Sequence, residues 1–127
     1  MISHIQPKTI PESEGSYSQI VVDDRYVFLL GLVAADFPEG QKVLGDVKKE
    51  TRAILTAIRS MLAEMGLDIN RIVRTDVHLA NLDDFEQVDG VYREFFEGGR
   101  YPARTTTESP KLYEGSRVEI TCMARRS

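Results

Sequence analysis

Val47, Thr51, Ile54, Leu55, Ile58, Met61, Leu62 and Met65 recur at spacings of three and four. That spacing gathers them into one stripe of a helix. Asp46 is the residue type that caps a helix start, and Gly66 the type that stops one. A helix with one apolar stripe needs an apolar surface to lie on. The sequence supplies strands for it. Residues 17–22 and 26–35 are β-rich runs separated by Asp23-Asp24-Arg25, a turn signal, and read as a hairpin. The second run is apolar from Tyr26 to Val33, with Gly31 inside it. A continuous apolar strand is covered on both faces. A glycine within it marks a bulge or a close approach by backbone or ligand.

Residues 71–80 alternate: Val73, Val77 and Leu79 point one way, and Arg74, Asp76 and His78 the other. A second helix starts near Asp83 or Asp84. Phe85, Val88, Val91, Tyr92, Phe95 and Phe96 form its apolar face, and Gly98-Gly99 ends it. Two strands close the chain, near 101–108 and 116–124. Residues 1–16, with Pro7, Pro11 and Gly15, read as an arm or loop. Residues 36–45, with Pro38, Gly40 and Gly45, read as a loop. The order ββ-α-β-α-ββ is an α+β layer fold, with two helices packed on one sheet. Two helices cover one face only. Leu30, Leu32 and Met123 are then left on the other, and such an apolar face predicts a homo-oligomer.

At 127 residues the chain reads as a single domain, 1–127, without repeats or linkers. A net charge of −4 argues against a nucleic-acid surface, which carries a basic footprint. No apolar run approaches the ~20 residues of a membrane span, and the N-terminus shows no secretory pattern. One cysteine, Cys122, has no internal partner, which fits a reducing cytoplasm. It alternates with Val118, Ile120 and Ala124 and reads as core. His4 and His78 are isolated, so no metal site is expected.

Two strand segments carry candidate chemistry. Tyr101-Pro102-Ala103-Arg104-Thr105-Thr106 holds one arginine, and Arg117-Val118-Glu119-Ile120-Thr121 holds one glutamate. On neighbouring strands, an arginine and a carboxylate could clamp an acidic substrate and manage a proton or a water. On pattern alone each is more often a solvated or salt-bridged surface group, and Tyr17 is more often a sheet-edge packing residue.

Four segments together carry a resemblance. Gly15-Ser16-Tyr17-Ser18-Gln19 resembles the Gly-Pro-Tyr-Ser-Gln segment of the RidA/YjgF family, the reactive-intermediate imine and enamine deaminases. Asn81-Leu82-Asp83-Asp84-Phe85 with Val91-Tyr92 and Phe95-Phe96 is similar to that family's second helix. Tyr101-Pro102-Ala103-Arg104 and Val118-Glu119-Ile120 resemble its last two strands. The resemblance implies a chorismate-mutase-like fold, a homotrimer with a barrel-like core, and ligand clefts between subunits. It implies hydrolysis of 2-aminoacrylate-type enamines and imines to 2-keto acids and ammonia, with no cofactor and no metal. Arg104 would hold the substrate carboxylate and Glu119 the attacking water. Tyr17 and Gly31 would line the cleft, and Thr105 and Thr106 would offer backbone hydrogen bonds. The chain departs from the family pattern at Leu30-Gly31-Leu32, at Thr105-Thr106, at Ser16 and at Asp89-Gly90, where the family commonly has an asparagine. The departures point to a divergent subgroup. They keep open a non-catalytic binder of small carboxylates. A ribonuclease or translation inhibitor, labels the family has carried, is disfavoured by the acidic balance.

Overall fold

In the computed structural model, which describes residues Met1–Ser127, the long apolar stripe forms helix α2, Val47–Glu64. Asp46 caps it by accepting from the Lys49 amide at 3.1 Å, and Gly66 beyond its end has φ +76°. A shorter helix, α1 (Pro38–Gln41), precedes it within the segment expected to be loop. Helix α3 spans Phe85–Glu94. It is entered through a turn over Leu82–Asp84, whose Asn81 side chain accepts from the Asp83 amide at 2.9 Å.

The strands are β1 (Ser3–Ile5), β2 (Ile20–Val22), β3 (Tyr26–Leu29), β4 (Leu32–Val33), β5 (Ile72–Leu79), β6 (Ala103–Glu108) and β7 (Val118–Arg125). They form one sheet in the order β1-β2-β3-β7-β5-β6, with β4 also paired to β7. Every pairing is antiparallel except β5 with β6. The parallel pair follows from the connection, because α3 crosses over between them. The α+β expectation of two main helices on a mixed sheet holds.

Four local expectations need correction. The arm is not all loop, since Ser3–Ile5 adds an edge strand to β2. The apolar run 26–33 is not one strand. Leu29 and Leu32 are both buried, at 5% and 0% exposure, so the alternation breaks at Leu30-Gly31 and the run splits into β3 and β4. Leu32 therefore packs under the helices rather than on the uncovered face. Finally, an irregularity between Ile72 and Arg74 shifts the register of β5. Ile72, Thr75, Val77 and Leu79 are the buried positions there, not Val73.

The core lies between the sheet and the helices. Ile54, Leu55, Ile58, Met61 and Leu62 of α2 and Val88, Val91 and Tyr92 of α3 meet Val77, Leu79, Val118, Ile120 and Cys122. Fully burying one such side chain is worth about 1.5–3 kcal/mol. Two polar groups are built into it with partners. Tyr92 Oη and Thr75 Oγ1 are 2.8 Å apart. Glu50, fully buried, accepts the Gly45 amide at 2.7 Å and the Arg117 amide at 2.8 Å, which pins the entry to β7. Burial pushes the Cys122 thiol up to about 12, so it is inert.

Candidate functional site

Glu119 sits on β7 between Val118 and Ile120, both fully buried under the helices. Strand alternation turns Glu119 to the opposite, open face. There its carboxylate lies across Gly31. A Cβ at Gly31 would fall 2.5 Å from Glu119 Oε2 and 3.1 Å from Thr121 Oγ1. This is the close approach that a glycine between β3 and β4 signals; a side chain there would displace the Glu119 carboxylate from this position. Glu119 belongs to none of the chain's ion pairs.

A cleft of about 700 Å³ opens over this carboxylate. Its floor includes Leu30, Gly31 and Glu119. Its wall is the segment Pro11–Gln19, including Tyr17, and its rim carries Asp36, Tyr113 and Glu114. Tyr17 is 52% exposed. Glu114 adopts φ +47°, the only non-glycine residue of the chain with positive φ, a costly conformation for its type. Asp36 is half-buried and caps the turn after β4, accepting from the Val33 amide at 3.2 Å. Burial, reinforced by the charge of Glu114, holds its carboxyl above the ordinary carboxylate value.

Arg104 lies elsewhere. The two candidate strands are not neighbours, because β5 runs between β6 and β7. Arg104 pairs with Thr75, Thr75 with Cys122, and Cys122 stands three residues from Glu119. Two strand spacings and three residue rises separate the Cα positions by roughly 14 Å. The side chains also leave opposite faces. The Arg104 guanidinium stacks over Tyr92 at 4.6 Å and Phe85 at 5.4 Å, both on α3. It pairs with Asp89 at 2.9 Å, and Asp89 in turn holds Arg93 at 2.9 Å. A separate pocket of about 340 Å³ is lined by Asp89, Tyr92, Arg93, Tyr101, Pro102 and Arg104.

The threonines divide in the same way. Thr106 pairs with buried Val77 and points with Arg104, whereas Thr105 faces the open side and takes a 2.6 Å hydrogen bond from Arg74 Nη2. Within one chain, then, Tyr17, Gly31 and Glu119 come together, and Arg104, Thr105 and Thr106 do not join them. Sequence reasoning noted Asp89 as a departure without giving it a role, and passed over Asp36 and Glu114. The tandem Glu114-Gly115 between two strands was the available turn signal for the rim.

Comparison with known proteins gives a consistent match. The family model for Endoribonuclease L-PSP covers residues 7–126. The 2-iminobutanoate/2-iminopropanoate deaminase of Mus musculus is 39% identical over 114 residues, 90% of this chain and 84% of the relative. A Rid-family protein of unknown function from Yersinia pestis, YyfA, superposes with a TM-score of 0.88 at 30% identity, over 98% of this chain and 99% of the other. TdcF of E. coli, solved with bound serine, superposes with a TM-score of 0.84 at 26% identity, over 98% and 99%.

Proposed function

The chain belongs to the Endoribonuclease L-PSP family, the RidA/YjgF group, and from that premise we propose that it hydrolyses 2-imino acids to 2-keto acids and ammonia in a site completed by a second copy of itself. The observation that carries the reading is the Glu119 carboxylate, held over Gly31 in an open cleft and outside every ion pair. The relatives named 2-iminobutanoate/2-iminopropanoate deaminase support the reaction class.

The chemistry needs few groups. An iminium carbon is already electrophilic, so a water must be oriented and a proton managed. Glu119 accepts the proton of water as its oxygen bonds to C2 of the imino acid. The tetrahedral carbinolamine takes that proton on nitrogen. As the C2–N bond breaks and ammonia leaves, the Glu119 carboxylate takes the hydroxyl proton, the C2=O bond forms, and the keto acid remains; Glu119 then loses that proton to the departing ammonia as ammonium. Proton transfer by a positioned carboxylate contributes about 10²–10⁴-fold. The carboxylate of the substrate falls to Arg104, whose planar fork grips two oxygens at once.

Because Arg104 and its own Glu119 lie on opposite faces, a small substrate cannot touch both in one chain. We place Arg104 of one subunit at the cleft of the next, in a homotrimer. The test is complementation. Arg104→Ala and Glu119→Gln chains are each inactive alone. Co-refolded at equal amounts, they form some interfaces with both intact halves, about a quarter under random mixing in a closed ring. Recovery of imine hydrolysis near that fraction, measured as keto acid released, supports the shared site. A mixture as inactive as its components refutes it.

A further inference from the structure

The Arg104 corner holds a second arginine. Arg93, on the last turn of α3, lines the same small pocket. One carboxylate serves both cations. Asp89 Oδ1 lies 2.9 Å from Arg104 Nη1, and Asp89 Oδ2 lies 2.9 Å from Arg93 Nη2. The two contacts differ in kind. Arg93 donates a directed hydrogen bond to Asp89. The Arg104 guanidinium is held by charge and stacking, and donates no hydrogen bond within the chain. A guanidinium carries five N–H donors. Those of Arg104 therefore stay uncommitted, while Asp89 balances its charge and the rings of Tyr92 and Phe85 hold its plane.

This arrangement sets a problem for a substrate carboxylate. If it came to Arg104 with Asp89 unmoved, two carboxylates would face one guanidinium. The Asp89 side chain is only 24% exposed, and a largely buried charge stripped of its partner is costly. Arg93 supplies the missing positive charge. It stands one helical turn beyond Asp89, in the i,i+4 order that favours such a pair. Its own side chain is 65% exposed, so it has room to follow the carboxylate. With the substrate bound, two carboxylates then meet two guanidiniums. An uncharged residue at position 89 would need no such relief.

We propose that Arg93 is a positioning residue for carboxylate capture: it takes over Asp89 as the substrate carboxylate takes Arg104. The proposal rests on the reading of Arg104 as the carboxylate clamp. In the empty site Asp89 is shared between the two arginines. On binding, its carboxylate swings onto Arg93, whose Nη1 has no partner in the shared position. The substrate then meets an Arg104 fork with its donors free. Arg93 acts through Asp89 and does not touch the substrate.

The test is a double-mutant cycle read by calorimetric titration with pyruvate, a stable carboxylate that needs no turnover. Arg93→Gln leaves Asp89 no alternative to Arg104. Pyruvate should then bind about three- to fivefold more weakly, the scale of one partly exposed ion pair. In an Asp89→Asn background the same change should cost less than about twofold. Arg93→Lys keeps the charge and should recover most of the affinity. With a 2-imino acid generated by an amino-acid oxidase, the loss in Arg93→Gln should fall on KM and not on kcat. Should Arg93→Gln misassemble, wild type decides: on adding pyruvate, the side-chain NMR signal of Arg93 should shift along with that of Arg104, and an unmoved Arg93 overturns the proposal. Unchanged pyruvate affinity in Arg93→Gln overturns it. So does an equal loss with and without the Asp89 charge, because Arg93 then acts on the ligand directly. A flat cycle in a protein that hydrolyses imines leaves the deaminase reading standing. Coupling of Arg93 to Asp89 without imine hydrolysis does the reverse. Pyruvate affinity unchanged by Arg104→Ala removes the clamp and overturns both.

Discussion

The cleft around Glu119 and the corner around Arg104 are built in opposite ways. The cleft is open, acidic and walled by irregular chain, and its central carboxylate lies in the space that Gly31 leaves. The corner is packed and paired. Its guanidinium is stacked on two rings of α3 and neutralised by Asp89. Each lacks what the other has. The cleft has a carboxylate outside every ion pair and no cation. The corner has the bidentate cation and no free base. They lie on opposite faces of one sheet, so the shared site proposed above requires a second copy of the chain to bring them together.

The change that breaks the corner hardest is Arg104→Lys. Charge is kept, but the fork and the stacking on Tyr92 are lost. Losing a charge-assisted bidentate contact costs about 2–3 kcal/mol, or tens- to hundreds-fold in kcat/KM. Steady-state hydrolysis by a correctly assembled variant checks this. Undiminished turnover would remove Arg104 from the site and leave the cleft to act alone.

Gly31→Ala attacks the cleft without touching its chemistry. The new Cβ meets Glu119 Oε2 at 2.5 Å, so the carboxylate must swing away. We expect about a tenfold drop in kcat, equivalent to about 1.4 kcal/mol of barrier, with binding of a keto acid to Arg104 little altered. Initial rates and calorimetry on one preparation separate the two. A drop in affinity at constant kcat would show that Gly31 shapes binding rather than the base.

Asp89→Asn sharpens the comparison from the other side. It keeps the size of the residue and removes the charge that competes for Arg104. Carboxylate affinity should rise about threefold. Stability should fall by about 0.5–1 kcal/mol, since the partly exposed pairs with Arg93 and Arg104 are both weakened. Titration with pyruvate and thermal melts measure both. Weaker carboxylate binding would instead make Asp89 the group that aims the guanidinium.

Legibility in the sequence followed periodicity. The two helices, with the Asp46 cap and the Gly66 stop, were readable because each stripe repeats over several turns. Gly31 was readable as a close approach, although the partner, a side chain of β7, was not. Strand adjacency was not readable. Placing Arg104 and Glu119 side by side assumed that strands consecutive in sequence pair. The β5–β6 crossover lets β5 slip between their strands, and no local pattern announces it. Leu32 was misplaced for a related reason: one irregular step at Gly31 reverses the parity of everything after it. The family resemblance rather than periodicity singled out Tyr17, and it drew the rim acids into no motif at all.

The smallest expected effect concerns the arm that walls the cleft. Glu64, at the end of α2, accepts the Lys8 amide at 2.8 Å, the Thr9 amide at 2.9 Å and the Thr9 hydroxyl. Burial raises its carboxyl, but these hydrogen bonds outweigh it and leave the value below the usual 4.5. A carboxylate whose folded value is depressed stabilises the fold above its unfolded value and loses that contribution as pH falls through the folded one. The tether should therefore hold at neutral pH and release below about pH 4.5. Cleft-lining chain begins at Pro11, two residues beyond Thr9, so the acidic wall loosens while the Arg104 corner, packed on α3, does not. Because Glu64 is exposed, the effect is a few-fold at most. Amide exchange at Lys8 and Thr9, corrected for intrinsic rates, should accelerate a few-fold between pH 6 and pH 4 relative to amides of α3. In Glu64→Gln it should be fast at both. Equal acceleration of arm and α3 amides in the wild type would mean that acid loosens the whole fold, and that the cleft wall has no independent anchor.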